Sequence, residues 1–278
     1  MSDEAAEDAV DKNDEHILGD QVTHVVRIGN TVRRPVREFT ATIQAYLGHL
    51  RDRGFQDAPV PLGYDDAGRE VLSFVRGEVP LEPLPEAATG VDVLRSLARL
   101  IRRLHDAAEG WVPPPDAVFG GIPGGRPDGL EPLFAAPELV SHQDYCPGNV
   151  VFRASLPAAL IDFDLARPTT RVADLANALY WWAPLLHPAD RAPSLRDADI
   201  PARVRAFADA YGLDRERRRA LTDVALVRSR NALLTMAAAA GADPVFARWW
   251  EEGLKDKLPR AEAWLRSAAR PINDALLD

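Results

Sequence analysis

Residues 139–165 read LVSHQDYCPGNVVFRASLPAALIDFDL, the most informative stretch of the chain. Asp144 and Asn149 lie five residues apart in a polar loop that leads into a predicted apolar strand. A turn and a second apolar strand follow, and Asp162 comes at its end. Mg²⁺ prefers hard oxygen ligands and takes few of them from the protein. The spacing therefore predicts a metal site in which Asn149 gives an amide oxygen and Asp162 a carboxylate.

The same three side chains meet the needs of phosphoryl transfer. That reaction requires a positioned acceptor hydroxyl, a group that takes its proton, and a metal ion held against the phosphate oxygens. With Asn149 and Asp162 assigned to the metal, Asp144 is left to face the hydroxyl. Asp and Asn also favour turns, but their joint spacing beside His142 and two strands favours the functional interpretation.

The bulk composition narrows the class of protein. The chain has 278 residues, 46% of them hydrophobic, which suits one large domain or two lobes. Its net charge of −9 argues against a nonspecific nucleic-acid binder. No run of about 18 uncharged apolar residues predicts a membrane span. The single cysteine, Cys146, excludes an internal disulfide and suggests a cytoplasmic protein.

The pattern of elements predicts an α+β fold with two lobes. Residues 1–15 are acidic and are predicted to be a disordered tail. Residues 16–76 read as strands with one helix at 40–53, for which Thr40 is the expected N-cap. Residues 77–278 are mostly helical, and Pro259 is expected to open the last helix.

The catalytic stretch resembles the aminoglycoside phosphotransferase family, a branch of the protein-kinase-like fold. The family's loop H-G-D-x-x-x-x-N is matched by residues 142–149, His-Gln-Asp-Tyr-Cys-Pro-Gly-Asn. The family's I-D-[FW]-[DE] is matched by residues 161–164, and a later Asp-Leu-Ala by residues 174–176. The resemblance implies that residues 16–76 form a nucleotide-binding lobe and that residues 77–278 carry the catalytic loop and the acceptor site.

The resemblance also implies a role for each matched residue and the cofactors. Asp144 becomes the catalytic base or hydroxyl-orienting group, and Asn149 and Asp162 become the Mg²⁺ ligands. Three residues support them: His142 and Asp174 brace the loop, and Asp164 lies beside the metal ligands. Nucleotide binding falls to Arg33, which resembles the third-strand cation, and to the linker that includes Ser73 and Val75. The phosphate donor is ATP or GTP.

The sequence departs from the family pattern at several positions. Gln143 replaces the usual Gly. Arg33 stands where Lys is commoner, with Arg34 as the second candidate, and an arginine is a fork rather than a point charge. The helix at 40–53 has no glutamate to pair with that cation; Gln44 and Glu38 lie nearest the expected place.

The expected function is that of a small-molecule O-phosphotransferase. The resemblance implies an antibiotic acceptor, an aminoglycoside or another natural product, with a metabolite such as a sugar, choline or homoserine as the alternative. A kinase-like binding or regulatory protein and a metal-dependent phosphoesterase are the rival classes. A two-metal phosphoesterase would need further His and Asp clusters. The sequence leaves open the acceptor, ATP against GTP, and whether the protein is a monomer or a dimer.

Overall fold

The computed structural model describes residues 15–18 and 25–278. The predicted acidic tail lies outside these residues, apart from Glu15, which begins the first strand. An antiparallel sheet of five strands forms the N-terminal part, in the order β1-β2-β3-β5-β4. Its strands are β1 (Glu15–Leu18), β2 (Val25–Ile28), β3 (Thr31–Arg34), β4 (Pro61–Tyr64) and β5 (Glu70–Ser73).

One helix, α1 (Thr40–Asp52), connects β3 to β4. Its buried face includes Ile43, Leu47 and Leu50, the apolar positions that predicted it. The expectation that Thr40 caps this helix is wrong, because Thr40 is the first helical residue and Phe39 takes the N-cap position. The Thr40 hydroxyl instead accepts a hydrogen bond from the backbone N–H of Arg37 at 2.9 Å.

Helices dominate the rest of the chain, as α2 (Val91–Ala108), α3 (Arg171–Trp182), α4 (Ile200–Tyr211), α5 (Arg215–Ala242), α6 (Pro244–Trp249) and α7 (Lys255–Leu277). Helix α2 packs against α4, and α5 packs against α3 and α7. The last helix begins at Lys255, so the prediction that Pro259 opens it is wrong. The break before it is at Gly253, whose φ of 124° no helix accommodates.

Two short antiparallel sheets frame the residues of interest. Strands β7 (Val150–Arg153) and β8 (Leu156–Leu160) form the predicted hairpin. Strands β6 (Leu139–Ser141) and β9 (Arg167–Thr169) form a second pair. The loop at 142–149 therefore begins at one small sheet and ends at the other.

A continuous hydrophobic core joins the two parts of the molecule. It includes Ile43 of α1, Leu97 of α2 and Leu265 of α7. The Tyr46 hydroxyl crosses between the parts and donates to the Val140 carbonyl at 2.7 Å. The result is a small sheet-rich part beside a larger helical part, the α+β arrangement that the sequence predicted. No helix in the described part of the chain is both long and apolar enough to cross a membrane.

Candidate active site

The loop between β6 and β7 brings Asp144 and Asn149 into contact. Asn149 Nδ2 donates to Asp144 Oδ2 at 2.9 Å and to the Asp144 carbonyl at 3.1 Å. Because the amide nitrogen faces Asp144, Asn149 Oδ1 is turned away, and no described residue donates a hydrogen bond to it. Burial raises the pKa of Asp144; the neighbouring His142 opposes this rise, and the negative charge of Asp162 adds to it. A raised pKa makes the carboxylate a better proton acceptor.

His142 fastens this loop to the strand that carries Asp162. Its side chain is completely buried. The backbone N–H of Asp144 donates to His142 Nδ1 at 3.2 Å, so the neutral ring carries its hydrogen on Nε2 and donates it to the Ile161 carbonyl at 2.9 Å. The Ile161 N–H donates in turn to the Asn149 carbonyl at 3.0 Å. His142 is therefore placed to brace the loop, as the resemblance implies, with both ring nitrogens bonded to the backbone.

Asp162 lies just after β8 in a left-handed conformation, with a φ of 60°. Its side chain is 53% exposed, which leaves the carboxylate open to a ligand. Positive φ is uncommon outside glycine and clusters at functional sites. Asp164, two residues on, is more enclosed: burial and the charge of Asp162 raise its pKa to about 6, although Arg34 opposes them.

The structure brings Arg34, and not Arg33, to these carboxylates. Arg34 Nη1 lies 2.7 Å from Asp164 Oδ1 and 3.8 Å from Asp162 Oδ1. Arg33 points to the other face of β3, where it lies 3.4 Å from Asp65 Oδ2. Neighbouring residues of a strand face opposite sides of the sheet, so only one of the two reaches the site. The second candidate from the sequence is thus the residue at the site.

The partner of this arginine is a glutamate from the neighbouring strand. Glu70 of β5 stands opposite Arg34 in the sheet and accepts a hydrogen bond from Arg34 Nε. Glu70 is completely buried, and Gln44 of α1 donates to its other carboxylate oxygen at 3.2 Å. Gln44, one of the two positions considered from the sequence, therefore acts through Glu70, whereas Glu38 is exposed. No local sequence pattern marks Glu70, so this partner of Arg34 was not predicted from the sequence.

Asp174 of α3 holds the backbone of the loop from beneath. Its carboxylate accepts hydrogen bonds from five described donors: His105 Nε2, the Ser141 hydroxyl, the Tyr145 hydroxyl, and the backbone and side-chain amides of Gln143. Burial alone would raise the pKa of Asp174, but His105 and these hydrogen bonds lower it to about 2. The carboxylate is therefore ionised and enclosed, which suits a brace.

Gln143 replaces the family's glycine at a position that favours one. Its φ is 64°. The side-chain amide donates to Asp174 Oδ1, and the backbone N–H donates to the same oxygen at 3.1 Å. These two hydrogen bonds offset the cost of the left-handed conformation.

Two further residues of α3 position the loop and were not found from the sequence. Asn177 Oδ1 accepts a hydrogen bond from the Tyr145 N–H at 2.8 Å. Trp182 Nε1 donates to the Tyr145 carbonyl at 2.7 Å. The Asp-Leu-Ala match pointed to this helix, but only the three-dimensional packing shows which later residues reach the loop.

The linker after β5 leaves the backbone of Val75 free to bind a ligand. The Ser73 N–H and hydroxyl are both hydrogen-bonded to the backbone of Val60. Neither the N–H nor the carbonyl of Val75 makes a hydrogen bond within the described residues. Ser73, Val75 and Arg153 border a cavity of about 410 Å³, which does not extend to Asp144 or Asp162.

The donor atoms present fit a magnesium ion. Asn149 Oδ1 and the open carboxylate of Asp162 are hard oxygen donors, and Mg²⁺ completes its octahedron with water and phosphate oxygens. Asp164 Oδ1 is buried without an aligned hydrogen bond, although Arg34 lies beside it. Within the described residues, no group of three or more His, Cys, Asp and Glu side chains is arranged around a metal position. The loop and the hairpin therefore offer a metal ion two protein ligands, Asn149 and Asp162.

Comparison with known proteins places this geometry in a family. The sequence profile of the phosphotransferase enzyme family matches residues 125–221, which include the loop and the hairpin. A trifolitoxin immunity protein of Rhizobium leguminosarum bv. trifolii is 33% identical over 217 residues, covering 76% of this chain and 79% of that protein. The chain belongs to the phosphotransferase enzyme family. The resemblance read from residues 142–176 is thereby confirmed.

Solved structures of other kinases share the fold of this phosphotransferase family member. A choline/ethanolamine kinase family protein of Mesorhizobium loti superposes with a TM-score of 0.64 at 15% identity, over 97% of this chain and 94% of that one. An amicoumacin kinase in complex with AMP-PNP, Ca²⁺ and Ami superposes with a TM-score of 0.62 at 13% identity, over 94% and 88%. At such identities the likeness establishes the kinase-like fold.

Proposed function

We propose that this protein is a small-molecule O-phosphotransferase that transfers the γ-phosphate of ATP or GTP to a hydroxyl group. One observation carries the proposal. The structure gathers an acid with a raised pKa, two hard oxygen donors and one cation in a single group, formed by Asp144, Asn149, Asp162 and Arg34. Those are the components that phosphoryl transfer requires, and membership of the family supports the same reaction.

In the proposed reaction Asp144 orients the acceptor hydroxyl and takes its proton. The hydroxyl oxygen bonds to the γ-phosphorus, the bond to the leaving nucleoside diphosphate breaks, and the proton moves to the Asp144 carboxylate. Asn149 fixes that carboxylate through its amide nitrogen and keeps its amide oxygen for the metal. Mg²⁺, when bound by Asn149 and Asp162, supplies positive charge against the phosphate oxygens.

Arg34 takes the nucleotide-binding role first expected of Arg33. Its guanidinium is held by Glu70 on one side and faces Asp164 on the other. A fixed arginine fork binds a phosphate group well. Val75, with a free backbone N–H and carbonyl, is the linker residue that we assign to the nucleobase, while Ser73 is held by Val60, the residue before β4.

The acceptor that we propose is a hydroxyl-bearing natural product, such as an antibiotic. The name of the relative from Rhizobium, an immunity protein, and the structural likeness to an amicoumacin kinase support this class. A metabolite acceptor is the alternative, favoured by the likeness to a choline/ethanolamine kinase family protein.

Release of nucleoside diphosphate tests the proposal. Wild-type protein is incubated with Mg²⁺ and ATP or GTP across a panel of hydroxyl-bearing antibiotics and metabolites. Asp144→Asn should bind nucleotide as the wild type does and lose acceptor-dependent release by about 1000-fold, because it cannot take the proton. No release with any acceptor, together with no nucleotide binding, would instead favour the kinase-like binding protein.

A further inference from the structure

Two arginines near the catalytic loop make no pairing that the structure shows. Among the described residues, neither Arg167 nor Arg228 has a hydrogen bond or an ion pair through its guanidinium. Both side chains are half-buried. None of their unpaired guanidinium nitrogens is completely buried. The unpaired guanidinium nitrogens of both residues therefore keep some contact with solvent, although the side chains are largely covered.

Both arginines lie on elements that pack against the strand or the helix adjoining the loop at 142–149. Arg167 is the first residue of β9 and stands opposite Ser141, three residues before Asp144. Arg228 lies on α5, which packs against α3, the helix that holds the loop through Asp174 and Asn177. The charge of Arg228 partly opposes the rise that burial causes in the pKa of Asp144, so the two side chains are close enough to interact.

The two arginines are not needed to balance the charges of the nearby carboxylates, because these carboxylates already have other hydrogen-bond donors. The Asp174 carboxylate already accepts hydrogen bonds from four other side chains and one backbone amide. The Asp144 carboxylate is held by Asn149 and by the Cys146 N–H. No carboxylate in the described part of the chain lies within ion-pair distance of either guanidinium, so both keep their donors for another partner.

Keeping the two charges together without a partner is unfavourable. Burial, followed by the charge of Arg167, lowers the pKa of Arg228 to about 10. Burial also lowers the pKa of Arg167. Like charges in an enclosed place destabilise the charged forms, and a bound anion would relieve both effects. A site that is unfavourable when empty and satisfied when filled is typical of ligand binding.

We propose that Arg167 and Arg228 form a subsite for an anionic group, a carboxylate or a phosphate, carried by the acceptor. This inference rests on the proposed phosphotransferase function, because it places the acceptor beside Asp144. It narrows the acceptor to a hydroxyl compound that also bears an anion. It disfavours a purely polycationic aminoglycoside, which two unpaired arginines would repel.

The subsite can be tested without catalysis by measuring the binding of inorganic phosphate and of citrate by calorimetric titration. Arg167→Gln and Arg228→Gln should each weaken binding of one or both anions at least about tenfold. Arg219→Gln, an exposed position on the same helix, is the matched control and should leave it unchanged. A preference for one of the two anions distinguishes a phosphate-bearing from a carboxylate-bearing acceptor. No anion binding in the wild type, or equal binding in all three variants, would overturn the subsite.

Two further measurements separate the subsite from other roles of the arginines. The affinity for AMP-PNP with Mg²⁺ should not change in Arg228→Gln; a loss equal to that for phosphate would show that the arginines serve the donor, which overturns the proposal. The melting temperature of Arg228→Gln should be unchanged or up to about 2 °C above that of the wild type, because an unpaired charge is removed. A fall of about 5 °C or more would show a structural role instead.

These measurements can overturn the subsite proposal and the phosphotransferase proposal separately. Asp144→Asn should lose nucleoside diphosphate release and keep phosphate binding. If the wild type releases no diphosphate with any acceptor but binds phosphate through Arg228, the subsite stands and the phosphotransferase proposal fails. If diphosphate is released and the arginine variants bind phosphate as the wild type does, the reverse holds.

Discussion

Arg34 and Arg33 differ by one position in a strand, and that step decides which of them lies beside Asp162 and Asp164. We expect Arg34→Met to lower kcat/KM for the nucleotide by about 100-fold, because it removes a cation aimed at developing phosphate charge. Arg34→Lys keeps the charge beside Glu70 but cannot span Glu70 and Asp164 as a fork, so it should retain folding and lose about tenfold. Steady-state kinetics with ATP and GTP measure both effects.

Arg33→Met is the matched control for that experiment. Its guanidinium pairs with Asp65 on the opposite face of the sheet, and such partly exposed pairs contribute little. Nucleotide kinetics within about twofold of wild type are expected. A larger loss in Arg33→Met than in Arg34→Met would return the nucleotide role to Arg33.

Gln143 shows how a side chain offsets an unfavourable backbone conformation. We expect Gln143→Ala to lower the free energy of unfolding by about 1–2 kcal/mol, since it loses the hydrogen bond to Asp174 and keeps a positive φ. Gln143→Gly loses the same bond but adopts this φ freely, so it should be less destabilised. Urea unfolding of the two variants tests the order, and the reverse order would mean that the φ of 64° costs nothing here.

At the scale of elements, α3 acts as the support of the catalytic loop, and Asp174 makes this support depend on pH. Its pKa is about 2 in the folded protein, against 3.8 as the ordinary value. Because the folded-state value is the lower one, the stabilisation is complete above about pH 4 and is lost as the pH falls towards 2. The difference corresponds to about 2 kcal/mol.

Asp174→Asn should therefore lower the unfolding free energy at pH 7 by about 3 kcal/mol and flatten its dependence on pH between 4 and 2. Urea unfolding at several pH values measures both quantities. Asp66→Asn, at an exposed position, is the control and should follow the wild type. A pH profile of Asp174→Asn that parallels the wild type would show that other acids govern acid unfolding.

The parts of the site that sequence analysis predicted lie close together in the chain. Asp144, Asn149 and Asp162 are joined by one loop and one hairpin, so their spacing carries the geometry. Choosing Arg34 over Arg33 requires knowing which face of the sheet each side chain is on. The sequence does not show this, because the two adjacent residues are both arginines. Glu70 becomes visible as a partner only through the β3–β5 register.

Across the whole molecule, the two structurally different parts are predictable from the sequence, but the way they pack together is not. The α+β division followed from strand-like and helical periodicity. Arg167 and Arg228, by contrast, are two arginines among many in an arginine-rich chain. Only the packing of α5 against α3 and the pairing of β9 with β6 bring them near Asp144.

The linker is joined to the catalytic hairpin where two main chains touch. Glu78 and Phe152 exchange backbone hydrogen bonds of 3.1 and 2.7 Å, and β7 and β8 connect Phe152 to Asn149 and Asp162. Gly77 permits this approach: its φ is 141°, and a Cβ there would lie 2.4 Å from the Phe152 carbonyl oxygen. The proposed nucleobase linker and the proposed metal ligands are thus positioned by one shared contact.

We therefore expect Gly77→Ala to weaken nucleotide binding about tenfold or more and to lower the melting temperature by about 5 °C, because the added methyl group forces the linker away from the hairpin. Gly68→Ala is the matched control, since Gly68 also has a positive φ of 74° but open space around it. The control should share the conformational strain and keep nucleotide affinity. Equal affinities in the two variants would show that the linker and the metal ligands are positioned independently of this contact.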